Sequence, residues 1–357
     1  MSDYFDRVER QIVRNVEAGV PRSSRRPTIS GYLATAAAVA VVIIVAGVFL
    51  LAHGSNPPPS HAPAARNRAG ISVTFRAHPI DPNTTEGAAI DRSIVILRER
   101  LRSAFPGVKV SRDGDQIAVA APTAGAGARA RIVALAIPGK LAFYDWEADA
   151  ITPNGKTVAS QLKAQNPTAL EISQGAASLA PGETGAGSLP IKQALGLASR
   201  LSPHTACVVL EAADPTGYLP ANIESPAAQF YVLKDVPLLT GADITHPKAG
   251  TDPNAAQPAV TFGFTPTGAI KFKDVTRVIS ERGDRVSRLG ETLNQHFAIA
   301  LDGRILTVPY IDFNVYPDGI TGANGADIDG GFTAQSARDV ATILRYGPLP
   351  AVLTATG

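Results

Sequence analysis

The sequence predicts an α+β fold carried behind a single N-terminal transmembrane helix. An uncharged apolar run covers Gly31–Ala52, and residues 71–147 follow a strand–helix–strand–strand–helix–strand order. Further strand patterns and two helical patterns return after residue 205. Apolar residues make up 45% of the 357 residues and charged residues 18%, which is typical of a chain that folds around a core.

The apolar run is long enough to cross a membrane. Its 22 residues span about 33 Å as a helix, against a hydrocarbon core of roughly 30 Å. Three arginines lie just before it, whereas His53–Ala65 contains no lysine or arginine. The positive-inside rule therefore predicts a cytoplasmic tail over residues 1–30, a spanning helix over 31–52 and an extracytoplasmic remainder.

Two alternatives to this anchor remain at the sequence level. One is a buried helix of a soluble protein, although an uncharged run of this length is rare in such cores. The other is a signal peptide cleaved near Ala62-Pro63-Ala64, but the apolar run exceeds the usual length of about 7–15 residues. Residues 3–18 show helical amphipathic spacing, which suits a cytoplasmic contact, a helix on the inner leaflet or a partly ordered tail.

A proline-rich linker over residues 53–70 is expected to hold the folded part away from the bilayer. The next unit, residues 71–149, has the element order of a ferredoxin-like fold. Its first helix carries an apolar stripe from Ile90 to Leu101, Asp113-Gly114 favours a hairpin turn, and Lys140–Trp146 is the expected last strand.

The second half of the chain alternates loops with strands. Residues 150–200 are rich in Ala, Gly, Ser and Pro, which predicts irregular loops with short helices. Strands are expected near 207–210, 229–233, 259–264, 297–301 and 305–308. A helix is expected over 268–282, with Ile270, Val275, Val278 and Ile279 on its buried side, and a last helix from Thr333 to Arg345.

The chemistry-bearing residues predict no enzyme, no cofactor and no metal site. The sequence lacks the Gly-x-Ser-x-Gly, His-Glu-x-x-His and Gly-x-x-x-x-Gly-Lys motifs, and its histidines are far apart and expected in loops or on the surface. Asp318–Gly331 is similar to a calcium loop in its aspartates and glycines. It lacks the EF-hand spacing and the closing glutamate, so a glycine-rich turn is the favoured interpretation.

Charge and cysteine content exclude further classes. The net charge is +2 and the basic residues are dispersed, which argues against a nucleic-acid-binding protein. Cys207 is the only cysteine, so an intramolecular disulfide is impossible. The predicted span contains no ionisable group, so it cannot relay protons by itself.

Four ordered segments resemble the first periplasmic domain of SecD, an accessory membrane subunit of the bacterial Sec protein-export machinery. The segments read VPLLTGADIT (236–245), AVTFGFTPTGAIKF (259–272), FAIALDGRILTVPYI (297–311) and IDGGFTAQSARDVATILRYGPLPAVL (328–353). The resemblance implies a head subdomain over 150–328, inserted into a base formed by 71–149 together with a C-terminal helix and segment over 329–357.

The resemblance also implies a function in export. A SecD-like chain would hold unfolded preprotein on the outer side of the membrane and act with Sec translocase subunits. Because the chain ends at Gly357, we expect the proton-conducting helix bundle of that family to be absent. An extracytoplasmic binding or sensory module that reuses the same fold is the alternative.

Site residues are weakly determined at this level. If the head binds extended polypeptide, an exposed strand edge and an apolar groove would be the physical means. Phe262 and Phe264 lie on a strand that could line such a groove, and both also fit a buried core. They are the polypeptide-contact residues that the sequence suggests.

Overall fold

The computed structural model describes residues 70–122, 124–125, 127–160, 189–212, 230–252, 257–287, 294–328 and 332–356. The predicted tail, transmembrane helix and linker up to residue 69 lie outside these ranges. Within them, no helix combines the length and hydropathy needed to cross a bilayer.

The described residues form helices and strands in the mixed order expected of an α+β protein. The strands are β1 Ile71–Pro79, β2 Lys109–Asp113, β3 Gln116–Ala121, β4 Leu141–Asp145, β5 Ala150–Ile151, β6 Cys207–Ala212, β7 Phe230–Lys234, β8 Leu239–Thr240, β9 Ile244–Thr251, β10 Pro258–Phe264, β11 Gln295–Leu301, β12 Arg304–Thr307, β13 Tyr310–Ile311, β14 Ala326–Ile328 and β15 Ala351–Ala355. The helices are α1 Glu86–Arg102, α2 Ala128–Leu135, α3 Trp146–Asp149, α4 Ile191–Leu201, α5 Pro266–Ser287 and α6 Ala334–Tyr346, with a 3-10 turn at Gly241–Asp243. The α+β class predicted from sequence is confirmed.

Four strands form an antiparallel sheet, here called the base sheet, in the order β15-β1-β3-β2. Helix α1 packs its predicted stripe against one face of this sheet, and Ile90, Leu97 and Leu101 are fully buried there. The Thr85 side chain caps the helix by accepting the backbone N–H of Ala88. The predicted β2–β3 hairpin is present, and Gly114 supplies the positive φ of 61° that its turn needs.

The predicted last strand of the base is wrong. Residues 141–145 form β4, which pairs with β11 and β8 in a different sheet. The fourth strand of the base sheet is β15, which pairs antiparallel with β1 through Ala77 opposite Leu353. The apolar and aromatic composition of Lys140–Trp146 predicts a strand, which is present, but composition does not say which sheet a strand joins. Only long-range pairing decides that β15 closes the base sheet. The boundaries 71–149, 150–328 and 329–357 themselves stay a prediction.

Eight strands form the head sheet, which reads β5-β7-β6-β12-β11-β4-β8 with β13 paired to β11. Both faces of its central strands β4 and β11 are buried. Phe143, Phe297 and Leu301 belong to one apolar cluster, whereas Ala142, Tyr144 and Ala300 belong to a second. Burial on both faces explains why these strands are almost entirely apolar rather than alternating.

Three strands form a smaller antiparallel sheet, here called the groove sheet, in the order β14-β10-β9. Helix α6 packs against β9 and β10 with the predicted residues Ala337, Val340, Ala341 and Leu344. Thr333 caps this helix through a capping box with Ser336.

Helix α5 covers the face of the head sheet that carries Phe143 and Phe297, with only part of the expected set. Ile279 is fully buried and Val275 half-buried, as predicted, whereas Ile270 and Val278 are exposed. Phe272 and Thr276 complete the buried stripe with Ile279, at helical spacing. Hydrophobicity alone did not choose the face, because a buried threonine is part of the stripe.

Candidate functional site

An open groove of about 630 Å³ lies on the groove sheet. Among the residues that the structure describes, it is the candidate binding site. Strands β9 and β10 and the loop before β14 line it, through His246, Lys248, Gly250, Thr251, Thr261, Phe262, Gly263, Ala323, Asn324, Gly325, Ala326 and Asp327. The volume lies in the range of small-molecule and peptide sites, roughly 300–1,000 Å³. The lining is mixed rather than apolar.

The floor of the groove is the face of the sheet that carries Lys248, Thr261 and Asp327. Thr261 pairs with Lys248 on one side and Asp327 on the other, so the three side chains share one face. Asp327 is 3% exposed, whereas Lys248 is exposed. The row therefore offers a buried carboxylate, a hydroxyl and an exposed cation across three strands. Gly250, next to Thr261, keeps this part of the floor shallow.

A β-bulge shapes one side of the groove. The register between β9 and β10 shifts between Thr261 and Gly263, so two residues of β9 oppose the single residue Phe262. His246 sits in the bulge with φ of 51°, in the left-handed region that non-glycine residues rarely adopt. The bulge leaves His246 exposed among the lining residues.

A glycine loop closes the opposite side. Gly325 has φ of 77°, and a side chain there would collide with the carbonyl oxygen of Phe262. The loop therefore passes directly over the backbone of β10, which only glycine permits. The loop belongs to the stretch Asp318–Gly331, for which the sequence favours a glycine-rich turn; its described part is this loop followed by β14. Within the described residues, no group of three or more His, Cys, Asp or Glu side chains is placed to hold a metal ion.

The structure places Phe262 and Phe264 mainly in the core. Phe262 is 4% exposed and packs edge-on against Phe143, with ring centroids 6.4 Å apart. Phe264 is half-buried and stacks on Phe272 at 4.6 Å. Both follow the strand alternation that points away from Thr261, so β10 lines the groove chiefly with its other face. A contact between these rings and polypeptide stays a prediction.

A buried charge cluster that the sequence did not reveal supports the head sheet. Arg282 of α5 donates two hydrogen bonds to Asp145 at 2.5 and 2.8 Å and approaches Glu147 at 3.3 Å. His296 lies on β11, not in a loop, with its Nδ1 2.7 Å from Glu147 Oε1. Burial opposes the charged form of Glu147, but His296 more than offsets this and lowers its pKa. The sequence signal for this cluster was the presence of three acidic residues in Asp145–Asp149, beside Trp146.

Several residues of the SecD-like segments lie at structural junctions outside the groove. Thr240 and Asp243 form a capping box, and a side chain at Gly268 would collide with the carbonyl oxygen of Asp243. The Asp302 carboxylate accepts the N–H groups of Gly139 and Lys140 at 2.7 to 2.9 Å. These motif residues support the fold, whereas Thr261, Phe262 and Gly263 of the segment 259–272 line the groove.

A further junction joins the base sheet to the rest of the unit. The fully buried Arg100 donates to the carbonyl oxygens of Leu135, Ile137, Pro138 and Gly347 at 2.5 to 3.0 Å. It thereby links α1 to the end of α2, to the connection into β4 and to the end of α6. A buried guanidinium is stable only with such a set of acceptors.

Comparisons with known proteins agree with the segment resemblance. The family model "SecDF, P1 head subdomain" matches residues 218–351. The chain is 33% identical over 169 residues to the protein translocase subunit SecD of Rhodobacter capsulatus, covering 46% of this chain and 26% of that protein. It is 38% identical over 117 residues to SecDF of Thermus thermophilus, covering 33% of this chain and 13% of that protein. It thus spans about a quarter or less of these relatives.

Solved structures of SecDF are also similar. One, described as a membrane component that enhances protein export, covers 80% of this chain and 98% of its own, with 22% identity and a TM-score of 0.44. Another, in a super-membrane-facing form, covers 83% of this chain and 32% of its own, with 22% identity and a TM-score of 0.47. The sequence matches are the stronger finding: residues 218–351, which contain the entire groove, are similar to the P1 head subdomain of SecDF.

Proposed function

We propose that this chain is a SecD-like accessory factor in Sec-dependent protein export, which holds or guides preprotein on the outer side of the membrane. The observation that carries the proposal is that the whole groove lies inside the segment matched to the SecDF P1 head. Its partners would be unfolded preprotein and Sec translocase subunits. It would act without catalysis and without a cofactor.

The geometry of the groove suits an extended polypeptide. Gly250 and the backbone at Gly263 and Gly325 give the groove stretches without bulky side chains, so a main chain can lie close to the sheet. The row of Asp327, Thr261 and Lys248 offers acceptors and donors of both charges. Contacts of this kind read the polypeptide backbone more than a particular sequence, as a factor for many preproteins requires.

The predicted topology belongs to the same proposal. A single span over 31–52 with a cytoplasmic N-terminus would tether the head where exported chains emerge. The span holds no ionisable side chain, so proton-driven movement would come from a partner. Cysteine labelling from each side of the membrane tests this: a residue of the linker must react only from outside.

Photo-crosslinking tests the groove. A benzoylphenylalanine replaces Lys248 in the full chain, in membrane vesicles that contain the Sec translocon and a preprotein arrested during export. Ser111, exposed on the base sheet, is the matched control position. Adducts with the preprotein or a Sec subunit from position 248 support the proposal, and their absence from both positions refutes it.

The alternative function is an extracytoplasmic binding or sensory module. The amphipathic pattern over 3–18 favours it, since a cytoplasmic helix could transmit a signal. Deleting residues 1–30 while preserving membrane insertion separates the two functions. Unchanged export activity of the shortened chain speaks against signalling, and lost cellular response with intact crosslinking speaks for it.

A further inference from the structure

We propose that the outer edge of β15 is a second docking site, which adds an extended polypeptide segment to the base sheet as a fifth strand. The proposal rests on the proposed export function for the identity of the occupant. Its evidence is separate, because β15 belongs to the base sheet and the groove to the groove sheet.

The hydrogen-bonding pattern defines which backbone groups of β15 are available. Thr356 donates its N–H to the Thr74 carbonyl at 2.9 Å, and the Pro350 carbonyl accepts from Ile80 at 3.0 Å. Even-numbered residues of this segment therefore face β1, and the backbone groups of Leu353 and Ala355 point away from it. In the part of the chain that the structure describes, neither of these two residues has a backbone partner on that side.

The side chains of β15 itself carry no charge, and the nearest cation on the open face is Arg76 of β1, opposite Thr354. The segment from Pro348 to Gly357 carries no charged residue. Val352 is 46% exposed and Ile80, at the end of β1, is 51% exposed. Both lie on the open face of the sheet, where the alternate side chains of an added strand would contact them.

Strand β2, at the opposite edge of the same sheet, is protected against pairing with a further strand. Strand β2 carries Lys109, Arg112 and Asp113, all exposed. Arg98 donates to the carbonyl oxygen of Val110 at 2.9 Å, which covers an outward backbone group. Charges and covered groups are the usual devices against edge pairing, and β15 lacks both.

The size of the edge favours a transient peptide over a second copy of the chain. Strand β15 has five residues and spans about 17 Å. A stable dimer typically buries about 800 Å² per partner, which is more than the edge of one short strand supplies. Backbone pairing without a specificity pocket would bind many sequences weakly, which suits a segment in transit.

Two substitutions block the edge without removing the ladder to β1. Ala355→Pro deletes an outward N–H, and proline is tolerated on an edge strand when that N–H faces solvent. Val352→Lys places a charge beside the edge. Ser111→Lys is the matched control, since it adds the same charge to the exposed face at the other edge.

The probe is a fluorescein-labelled peptide of about ten alternating valine and threonine residues, the length of a typical strand, with lysines at both ends. Fluorescence anisotropy measures its binding to the full chain in detergent, and a version with proline at alternate positions is the negative probe. We expect each edge variant to bind about tenfold more weakly, which corresponds to one or two lost hydrogen bonds, and Ser111→Lys to bind normally.

If all three variants bind the labelled peptide as tightly as the unmodified chain does, and circular dichroism shows them folded, the proposal is overturned. If the variants bind the peptide equally while benzoylphenylalanine at position 248 still crosslinks to preprotein, only the edge assignment fails and the export function stands. If Val352→Lys instead abolishes a dimer seen by sedimentation of the unmodified chain, a second copy occupies the edge and the proposal is equally overturned.

Discussion

Replacing Arg100 by methionine tests how much the junction at the base sheet contributes to stability. The change keeps most of the aliphatic volume in α1 and removes the guanidinium. Four carbonyl oxygens, of Leu135, Ile137, Pro138 and Gly347, then lose the guanidinium donor. Pro138 keeps the backbone N–H of Leu349 at 2.7 Å. Only the hydrogen bond to Leu135 is fully buried, so water can replace part of the loss at the other three.

The magnitude follows from these four bonds. A hydrogen bond from a charged group contributes about 1.5–3 kcal/mol, and an unsatisfied buried acceptor costs about 1–3 kcal/mol. Allowing for water at the partly buried acceptors, we expect Arg100→Met to lower the free energy of unfolding by about 3–6 kcal/mol. This is a large share of the roughly 5–15 kcal/mol that stabilises a typical domain.

Urea unfolding of the full chain in detergent measures the effect. Far-UV circular dichroism follows the whole chain, and the single tryptophan, Trp146, is fully buried and reports on the head sheet. Arg98→Met is the control, because Arg98 lies on the same helix and donates to a single carbonyl, that of Val110. We expect it to cost about 1 kcal/mol. Equal losses for the two variants would refute the role assigned to Arg100.

Three further predictions concern the core and the charge cluster. Burial and the charge of Asp145 raise the pKa of Asp149 to about 6 in the folded protein, above its pKa of about 3.9 in the unfolded chain. The protonated carboxyl therefore stabilises the fold fully at pH values below the unfolded pKa. This stabilisation is lost as the pH rises through about 6. Asp149→Asn should therefore raise the melting temperature at pH 8, with the gain shrinking toward pH 4, and a pH-independent difference would contradict this. Phe262→Ala should lower the free energy of unfolding, measured with urea, by about 3–5 kcal/mol, as expected for a core residue. Normal stability together with the loss of crosslinking from benzoylphenylalanine at position 248 would instead assign the ring to polypeptide contact. Gly139→Ala should lower the free energy of unfolding by about 1–3 kcal/mol more than Gly127→Ala does. Both glycines have φ above 80°, but only at Gly139 would the new Cβ lie 2.6 Å from side-chain atoms of Arg100 and Ile343. Equal melting temperatures of the two variants would show that the site adapts.

Local patterns predicted several elements closely. The stripe of α1, the Asp113-Gly114 turn and the Thr333 cap of α6 each depend on residues only a few positions apart. The Asp302-Gly303 turn is of the same kind, with φ of 50° and 79°. Side-chain periodicity and turn preference are properties of a short segment, so they can be read without the rest of the chain.

The candidate site could not be predicted in this way. The groove brings together residues of β9, β10 and the loop before β14, which are up to about eighty positions apart. The bulge at His246 arises from the register of two strands, and no local residue preference signals it. Phe262 and Phe264 were chosen for hydrophobicity, and strand alternation turns both rings toward the core.

By itself, the sequence determined the α+β class, most helix and strand positions and the SecD-like motifs, since these depend on neighbouring residues or on an ordered set of short segments. Only the tertiary structure decided that β15 rather than β4 completes the base sheet, that Arg282 and His296 bind Asp145 and Glu147, and that a mixed groove lies over the groove sheet. The physical reason is that sheet order, register and buried charge pairing are set by contacts between distant segments. Many strand pairings satisfy the same local pattern, and the packing of the whole unit selects one.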